Sequence, residues 1–310
     1  MSKAKLAIAL STLSVAMVAW AIPGSGVADQ RVQRPENARV VTRSVSSVAP
    51  IRLRDEAGSG LLANGWINGV GPFVFAIDTG AGVSLISRNV VERAGLRVTN
   101  ARRPLVGGLS TSPISSNQET QISGLALGRS NNDLPGSFSA AVVTSLPSSI
   151  DGILDPTEVF NPSGYTVDLP NRELRVFDGR LRATDVPRDG AVVRWVREAG
   201  SGRPFVRLGD GRLALIDTGS GVGLALNGGA GSNHARDGNA VRELGGGMVQ
   251  SHRIAPQVVS IGPLVLNKVP TEVLTGVAPD TPILLGRGAL FPFRLTFDPA
   301  SRLISIEPVK

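Results

Sequence analysis

The stretch Phe73-Val74-Phe75-Ala76-Ile77-Asp78-Thr79-Gly80 has a close counterpart later in the chain, Leu213-Ala214-Leu215-Ile216-Asp217-Thr218-Gly219. In both copies an apolar run typical of a buried strand ends in Asp-Thr-Gly. A carboxylate in that position is costly unless it is hydrogen-bonded or paired. A single copy could be a strand followed by an ordinary Asx turn. Two copies, 139 positions apart, suggest instead that each carboxylate is the partner of the other.

The composition restricts the chemistry that the chain can perform. Its 310 residues include no cysteine and only two histidines, His234 and His252. Disulfides and thiol catalysis are therefore excluded, and a histidine-rich metal site or a Ser-His-Asp triad is not expected. The formal net charge is +7, but the basic residues are scattered and tyrosine occurs once, so we predict no nucleic-acid partner. We expect no metal and no cofactor, and acid–base chemistry falls to Asp and Glu.

The first 28 residues are typical of a targeting segment. Lys3 and Lys5 precede an uncharged, mostly apolar run over residues 6–22, and small residues suit cleavage after Ala21 or Ala28. The alternative is an uncleaved anchor in the inner membrane, at the short end of the spanning range. Either outcome exports the body of the protein, to the periplasm or as a secreted protein. Membrane contact is expected only through this segment, if it is uncleaved.

The rest of the chain is predicted to be an all-β protein with a few short helices, because short apolar runs alternate with Gly, Pro and Asn turns. The predicted segments are a signal or anchor at 1–28, a disordered basic leader at 29–48, an N-terminal lobe at 49–180, a linker at 181–190 and a C-terminal lobe at 191–310. The leader is polar and rich in arginine. A sharper hypothesis makes it a basic pro-segment that covers an acidic cleft.

The second half repeats the first in order. Strands are predicted in the first half at 61–68, 73–77, 83–87, 121–127, 138–143, 165–169 and 173–177, with a turn at 69–72 and a helix at 89–94. In the second half, four segments correspond in order to the later segments of the first half: 261–266, 283–286, 291–298 and 302–306. This order indicates a tandem duplication of one unit of about 125 residues. A pseudo-two-fold arrangement of two lobes follows, equivalent to a dimer fused into one monomeric chain.

Lobes related by a two-fold axis bring equivalent loops together at that axis. If Asp78 and Asp217 meet there, both cannot ionise readily, and the pair holds one proton. The ionised member could then take a proton from a water that attacks a carbonyl, while the protonated member donates to the carbonyl oxygen.

The residues beside the two aspartates have predicted roles of their own. Gly80 and Gly219 would allow backbone to approach the carboxylates closely. Thr79 and Thr218 would hydrogen-bond across the axis, although a local turn bond is the simpler role. The hydroxyl of Ser220 could bond the outer oxygen of Asp217.

These residues resemble the catalytic loops of the aspartic peptidases, and the resemblance covers about residues 50–308. In that family an apolar-apolar-Gly element crosses beneath each catalytic loop, and Ile153-Leu154 and Leu284-Leu285-Gly286 are similar to it. Asp155 stands where glycine is usual. The resemblance implies closed-barrel lobes of the acid-protease type with the active site between them. It also implies an endopeptidase with catalytic Asp78 and Asp217, acting on peptide or protein substrates.

The flap of pepsin-like enzymes carries a tyrosine, but the only tyrosine, Tyr165, lies near the end of a predicted lobe. Two glycine pairs, Gly107-Gly108 and Gly246-Gly247, look more like the glycine-rich flaps of retropepsins, one in each lobe. A bound peptide would then pair with flap backbone as an added strand.

Two other classes of protein are considered. The fold could be retained as a non-catalytic peptide-binding or inhibitory protein, although both Asp-Thr-Gly motifs are intact. A structural surface protein is the other, but it leaves the ordered repeat unexplained. We expect Asp151, Asp168 and Asp298 to serve turns, and Glu158 to face solvent on a short helix.

Overall fold

A computed structural model describes residues 48–56, 59–107, 114–197, 202–228, 239–242 and 248–309. The predicted signal segment and nearly all of the basic leader lie outside these residues. The strands are β1 Ile51–Arg52, β2 Arg54–Glu56, β3 Gly60–Ile67, β4 Val70–Ile77, β5 Ser84–Ser87, β6 Val98–Gly107, β7 Ile114–Ile122, β8 Leu125–Leu127, β9 Phe138–Val143, β10 Gly152–Leu154, β11 Gly164–Asp168, β12 Glu173–Phe177, β13 Ala191–Arg194, β14 Phe205–Arg207, β15 Leu213–Asp217, β16 Leu224–Asn227, β17 Asn239–Arg242, β18 Met248–Ile261, β19 Leu264–Thr275, β20 Ile283–Gly286, β21 Phe293–Asp298 and β22 Leu303–Pro308. The helices are α1 Arg88–Arg93, α2 Pro156–Val159 and α3 Arg287–Leu290.

The all-β prediction is confirmed. In the described residues the strands form three sheets. Sheet I has the order β1-β12-β11-β21-β22-β13, sheet II has the order β2-β3-β4-β10-β5-β9-β7-β6 with β8 paired to β3, and sheet III has the order β14-β15-β20-β16-β19-β18-β17. No helix in this part of the chain is long and apolar enough to cross a membrane.

Sheets II and III share one pattern of strand pairing. In sheet II, β4 runs parallel to β10, β10 is antiparallel to β5, and β5 is parallel to β9. In sheet III the strands β15, β20, β16 and β19 follow the same sequence of parallel, antiparallel and parallel pairs. Each aspartate follows or ends the first strand of its series, so the two Asp-Thr-Gly loops have equivalent places in their sheets.

Sheet I joins the two halves of the chain. Its central pair is β11 with β21, one strand from each half, and Thr166 and Thr296 are in register there with their hydroxyls 3.0 Å apart. Tyr165 stacks on Phe297 at a ring-centroid distance of 4.6 Å, and both side chains are fully buried. One large hydrophobic cluster contains residues from all three sheets. Burial of this apolar surface fixes the sheets beneath the loops that carry the aspartates.

Local predictions failed mainly at turns. The turn predicted at 69–72 is shorter, because Asn68 and Gly69 both have positive φ values (52° and 76°) and β4 begins at once at Val70. Such a pair suits the tight hairpin that this twist requires. The strand predicted at 121–127 is broken between Ile122 and Leu125, and the one predicted at 261–266 is interrupted by a turn at 262–263. In both cases the break falls at turn-forming residues, Ser123-Gly124 and Gly262-Pro263.

Candidate active site

The two aspartates lie at the ends of equivalent strands. Asp78 comes directly after β4, and its amide donates to the carbonyl of Leu154 on the neighbouring strand β10, at 3.0 Å. Asp217 is the last residue of β15 and is in register with Gly286 on β20. Each carboxylate is therefore carried by a loop whose base is fixed by a central, buried parallel strand pair.

Two threonines link these loops by reciprocal hydrogen bonds. The hydroxyl of Thr79 donates to the carbonyl of Ile216 at 2.7 Å and accepts from the amide of Thr218 at 3.0 Å. The hydroxyl of Thr218 accepts from the amide of Thr79 at 3.2 Å and donates to the carbonyl of Ile77 at 3.4 Å. Both threonines are fully buried. The link crosses between the two loops, as expected, and does not stay within one turn.

The glycines of the two motifs lie against the opposite aspartate. A Cβ atom added to Gly219 would lie 2.4 Å from Cγ of Asp78, and one added to Gly80 would lie 2.8 Å from Cγ of Asp217. Real side chains do not tolerate such distances. Any residue larger than glycine would push the carboxyl groups apart, so these glycines permit the close approach of the two loops.

The two carboxyl groups form an unequal pair. Burial raises the pKa of Asp78 well above its ordinary value, and the negative charge of Asp217 raises it further. Burial also raises the pKa of Asp217, but a hydrogen bond from the carboxyl of Asp78 opposes this rise. Asp78 accepts one amide, from Gly80 at 2.8 Å, whereas Asp217 is bonded by the amides of Gly219 and Ser220. Since amide donors stabilise the ionised form, the two amides lower the pKa of Asp217 relative to that of Asp78.

Two acidic residues, Asp155 and Glu158, make hydrogen bonds to Ser84 next to the Asp78 loop. The amide of Ser84 donates to Oε2 of Glu158 at 2.8 Å, and the amide of Asp155 donates to the hydroxyl of Ser84 at 3.1 Å. Asp155 begins α2 as its N-cap, where Oδ1 accepts from the amide of Thr157 at 2.8 Å. It is fully buried, and its Oδ2 has no hydrogen-bond partner among the described residues. Burial and the nearby charge of Glu158 raise the pKa of Asp155 to about 7.

Backbone and one arginine support the Asp217 loop. The amide of Arg287, the first residue of α3, donates to the carbonyl of Ser220 at 3.0 Å, and the amide of Gly288 donates to that of Val222 at 2.9 Å. The guanidinium of Arg287 pairs with Asp55 on β2. The two loops thus occupy equivalent places in the fold but have neighbours of opposite charge.

Several predictions about single residues need correction. Glu158 does not face solvent, because α2 packs its carboxylate against the Asp78 loop. The hydroxyl of Ser220 does not bond Asp217; its backbone amide does, at 2.9 Å, while the hydroxyl accepts from the amide of Val222. Gly107 is the last residue of β6, consistent with a hairpin there. The other predicted flap glycines, Gly108, Gly246 and Gly247, lie outside the described residues.

Other residues matter here that sequence reasoning passed over. The sequence marks Asp155 only as a departure from glycine, and neither Arg287 nor Asp55 is a predicted site residue. The signal that could have identified two of these residues is their position: Asp155 directly follows β10, and Arg287 directly follows β20. Asp168 and Asp298 accept from backbone amides in the turns that follow them, whereas Asp151 accepts from the amide of Val74 within β4. Within the described residues, no group of three or more His, Cys, Asp or Glu side chains could hold a metal ion.

Comparison with known proteins gives one finding on family. Residues 63–154 match the model of a family described as aspartyl protease. The matched stretch contains Asp78-Thr79-Gly80 and ends at Leu154 on β10, and the second Asp-Thr-Gly motif lies beyond it. A search of curated proteins finds no match. The family match supports a relationship to the aspartic proteases and a peptidase-like, hydrolytic function.

Proposed function

We propose that this protein is an aspartic endopeptidase that hydrolyses peptide bonds with a water molecule held between Asp78 and Asp217. The observation that carries the proposal is the unequal carboxyl pair: partly exposed Asp78 and buried Asp217, from equivalent loops, share a hydrogen bond. The reciprocal threonine bonds hold these loops together through the protein's own groups. The site is therefore preorganised, which is what electrostatic catalysis requires.

The roles of the two aspartates follow from their surroundings. Ionised Asp217 accepts a proton from the water, whose oxygen forms a bond to the scissile carbonyl carbon. Protonated Asp78 donates to the carbonyl oxygen, which gives a neutral tetrahedral intermediate. When the carbon–nitrogen bond breaks, Asp217 delivers its proton to the leaving nitrogen and Asp78 recovers a proton from the intermediate. Atoms and charges balance without a covalent enzyme intermediate.

A duplicated, bilobal architecture is part of the proposal. The identical order of strand pairing in sheets II and III supports it, as does the pairing of β11 with β21 at the centre of sheet I. The antiparallel strand pairs β6–β7 and β17–β18 would carry the two flaps, and an extended peptide would pair with flap backbone. We further propose that the protein acts as a monomer outside the cytoplasm. The predicted N-terminal signal supports that location.

The test is a digestion of a mixed peptide library by the full-length chain between about pH 3 and pH 8. Products are read by mass spectrometry with and without a statine-type inhibitor, which mimics the tetrahedral intermediate. We expect cleavage within peptides that the inhibitor abolishes. A folded protein that cleaves nothing at any pH but still binds the inhibitor would instead support a non-catalytic peptide-binding protein.

A further inference from the structure

Arg287 is a partly buried cation beside the Asp217 loop. Its side chain is 11% exposed, and its Nη1 lies 2.5 Å from Oδ1 of Asp55, a residue 232 positions earlier in the chain. Its Nη2 lies 3.7 Å from the place that a Cβ on Gly221 would occupy. The third guanidinium nitrogen, Nε, is buried without a hydrogen-bond partner among the described residues.

This arrangement is costly for stability alone. A guanidinium with so little exposure loses most of its hydration. The ion pair with Asp55 does not fully offset that loss, because the Nε donor of Arg287 remains unpaired among the described residues. The amide of Arg287 is bonded to Ser220, whose own amide bonds Asp217, so the cation is held at a fixed place behind the catalytic loop. Its charge opposes the effect of burial on Asp217 and lowers the pKa of that carboxyl.

The charged groups around this site can be named. Asp217 faces Asp78 from the opposite loop and Arg287 from α3, and Arg287 faces Asp55 from β2. Among the described residues, no cation is a main cause of the pKa shift of Asp78. Besides Asp217, the charged group that acts on Asp78 is Asp155, which raises its pKa. The Arg287 cation therefore lowers the pKa of Asp217, and Asp155 raises the pKa of Asp78 where Asp155 is itself ionised.

We propose that Arg287, fixed by its ion pair with Asp55, is a positioning residue that keeps Asp217 as the ionised member of the pair and directs the shared proton to Asp78. This inference rests on the proposed peptidase function and adds to it the residue that divides the roles of the two aspartates. Arg287 acts through the loop and makes no contact with the reacting atoms.

The test compares the full-length wild type with Arg287→Gln and Arg287→Lys. Removal of the cation makes Asp217 harder to ionise, so the acid limb of the kcat/KM profile should move to higher pH. We expect kcat/KM on the acid side of the optimum to fall by about threefold or more, with a smaller change at the optimum. Arg287→Lys retains the charge and should restore the acid limb. Arg212→Gln, which removes an exposed arginine paired with Asp210, should leave the profile unchanged.

A second readout is independent of activity. Aspartate labelled with carbon-13 at the carboxyl allows both carboxyls to be titrated by NMR, with Asp78→Asn and Asp217→Asn used for assignment. In the wild type Asp217 should ionise at lower pH than Asp78, and Arg287→Gln should raise the pH at which it does so.

The outcomes separate this inference from the proposed function. The reverse titration order in the wild type overturns it without any variant. An unmoved acid limb and an unmoved Asp217 titration in folded Arg287→Gln also overturn it. If the wild type cleaves nothing and yet Asp217 titrates at lower pH than Asp78, with the expected shift in Arg287→Gln, the positioning role stands and the peptidase function fails.

Discussion

Replacing Asp155 by asparagine should make the protein more stable at neutral and alkaline pH. Asp155 is fully buried, and one of its carboxyl oxygens has no partner among the described residues. Its pKa rises from an ordinary value of 3.8 to about 7 in the folded state. The folded protein therefore binds this proton more tightly than the unfolded chain does. The stabilisation is complete below about pH 4 and is lost as the pH rises towards 7.

The size of the effect follows from that difference in pKa. Each pKa unit corresponds to about 1.4 kcal/mol, so ionisation of Asp155 costs the wild type about 4 kcal/mol by pH 8. The side-chain amide of the variant would resemble the protonated acid and keep the N-cap bond to Thr157, so the variant escapes this cost. We expect similar stabilities at pH 4 and a variant more stable by about 4 kcal/mol at pH 8.

Urea unfolding at pH 4, 6 and 8 measures this difference, with the fluorescence of buried Trp195 as the probe. Asp210→Asn is the control, because Asp210 lies in an exposed turn where bonds from Arg212 lower its pKa. That variant should not flatten the pH dependence. If Asp155→Asn differs from the wild type by the same amount at all three pH values, Asp155 is not a buried carboxyl that retains its proton, and the reasoning is wrong.

Three further predictions concern the loops and the central sheet. Gly219→Ala should reduce kcat/KM by about 100-fold or more, because its Cβ would displace the carboxyl of Asp78. Gly202→Ala is the control and should leave kcat/KM unchanged, because a Cβ at that position makes only an ordinary contact. Thr79→Val should lower the free energy of unfolding by about 2 to 4 kcal/mol, because it leaves the amide of Thr218 and the carbonyl of Ile216 without their partner. A chemical unfolding curve of Thr79→Val that matches the curve of Thr79→Ser would contradict this. Burial alone would raise the pKa of Asp168, but its bonds with an asparagine and an arginine lower it overall. The stabilisation that ionised Asp168 gives the folded state should thus be present above the ordinary pKa and be lost on acidification. Asp168→Asn should therefore lower the melting temperature at pH 7 more than at pH 3. An equal loss at both pH values would refute the assignment.

The sequence predicted those parts of the fold that local pattern encodes. The bounds of β9 and β12 agree with the predicted strands, because each is one apolar or alternating run between clear turn signals. The structure also brings Asp78 and Asp217 together, as the repeated motif suggested. A predicted strand was too long where turn-forming residues lie inside it, as at residues 121–127, where Ser123 and Gly124 separate β7 from β8.

Other features depend on contacts that no local pattern reports. Sheet I joins three strands of the first half to three of the second, and its central pairing of Thr166 with Thr296 spans 130 positions. Glu158 was assigned to solvent because a glutamate on a short helix usually is exposed. Its burial arises only when α2 packs against the Asp78 loop. The Arg287–Asp55 pair likewise depends on how strands from opposite halves meet, so neither residue carried a sequence signal alone.

The most direct test of the central claim compares three single variants in one peptide-cleavage assay. Asp78→Asn and Asp217→Asn each remove one member of the carboxyl pair, and Asp151→Asn changes a structural aspartate that bonds the amide of Val74. Circular dichroism and thermal unfolding establish that each variant is folded. We expect both active-site variants to lose all inhibitor-sensitive cleavage and Asp151→Asn to retain it. Wild-type cleavage in folded Asp78→Asn or Asp217→Asn would contradict a mechanism that needs both carboxyls.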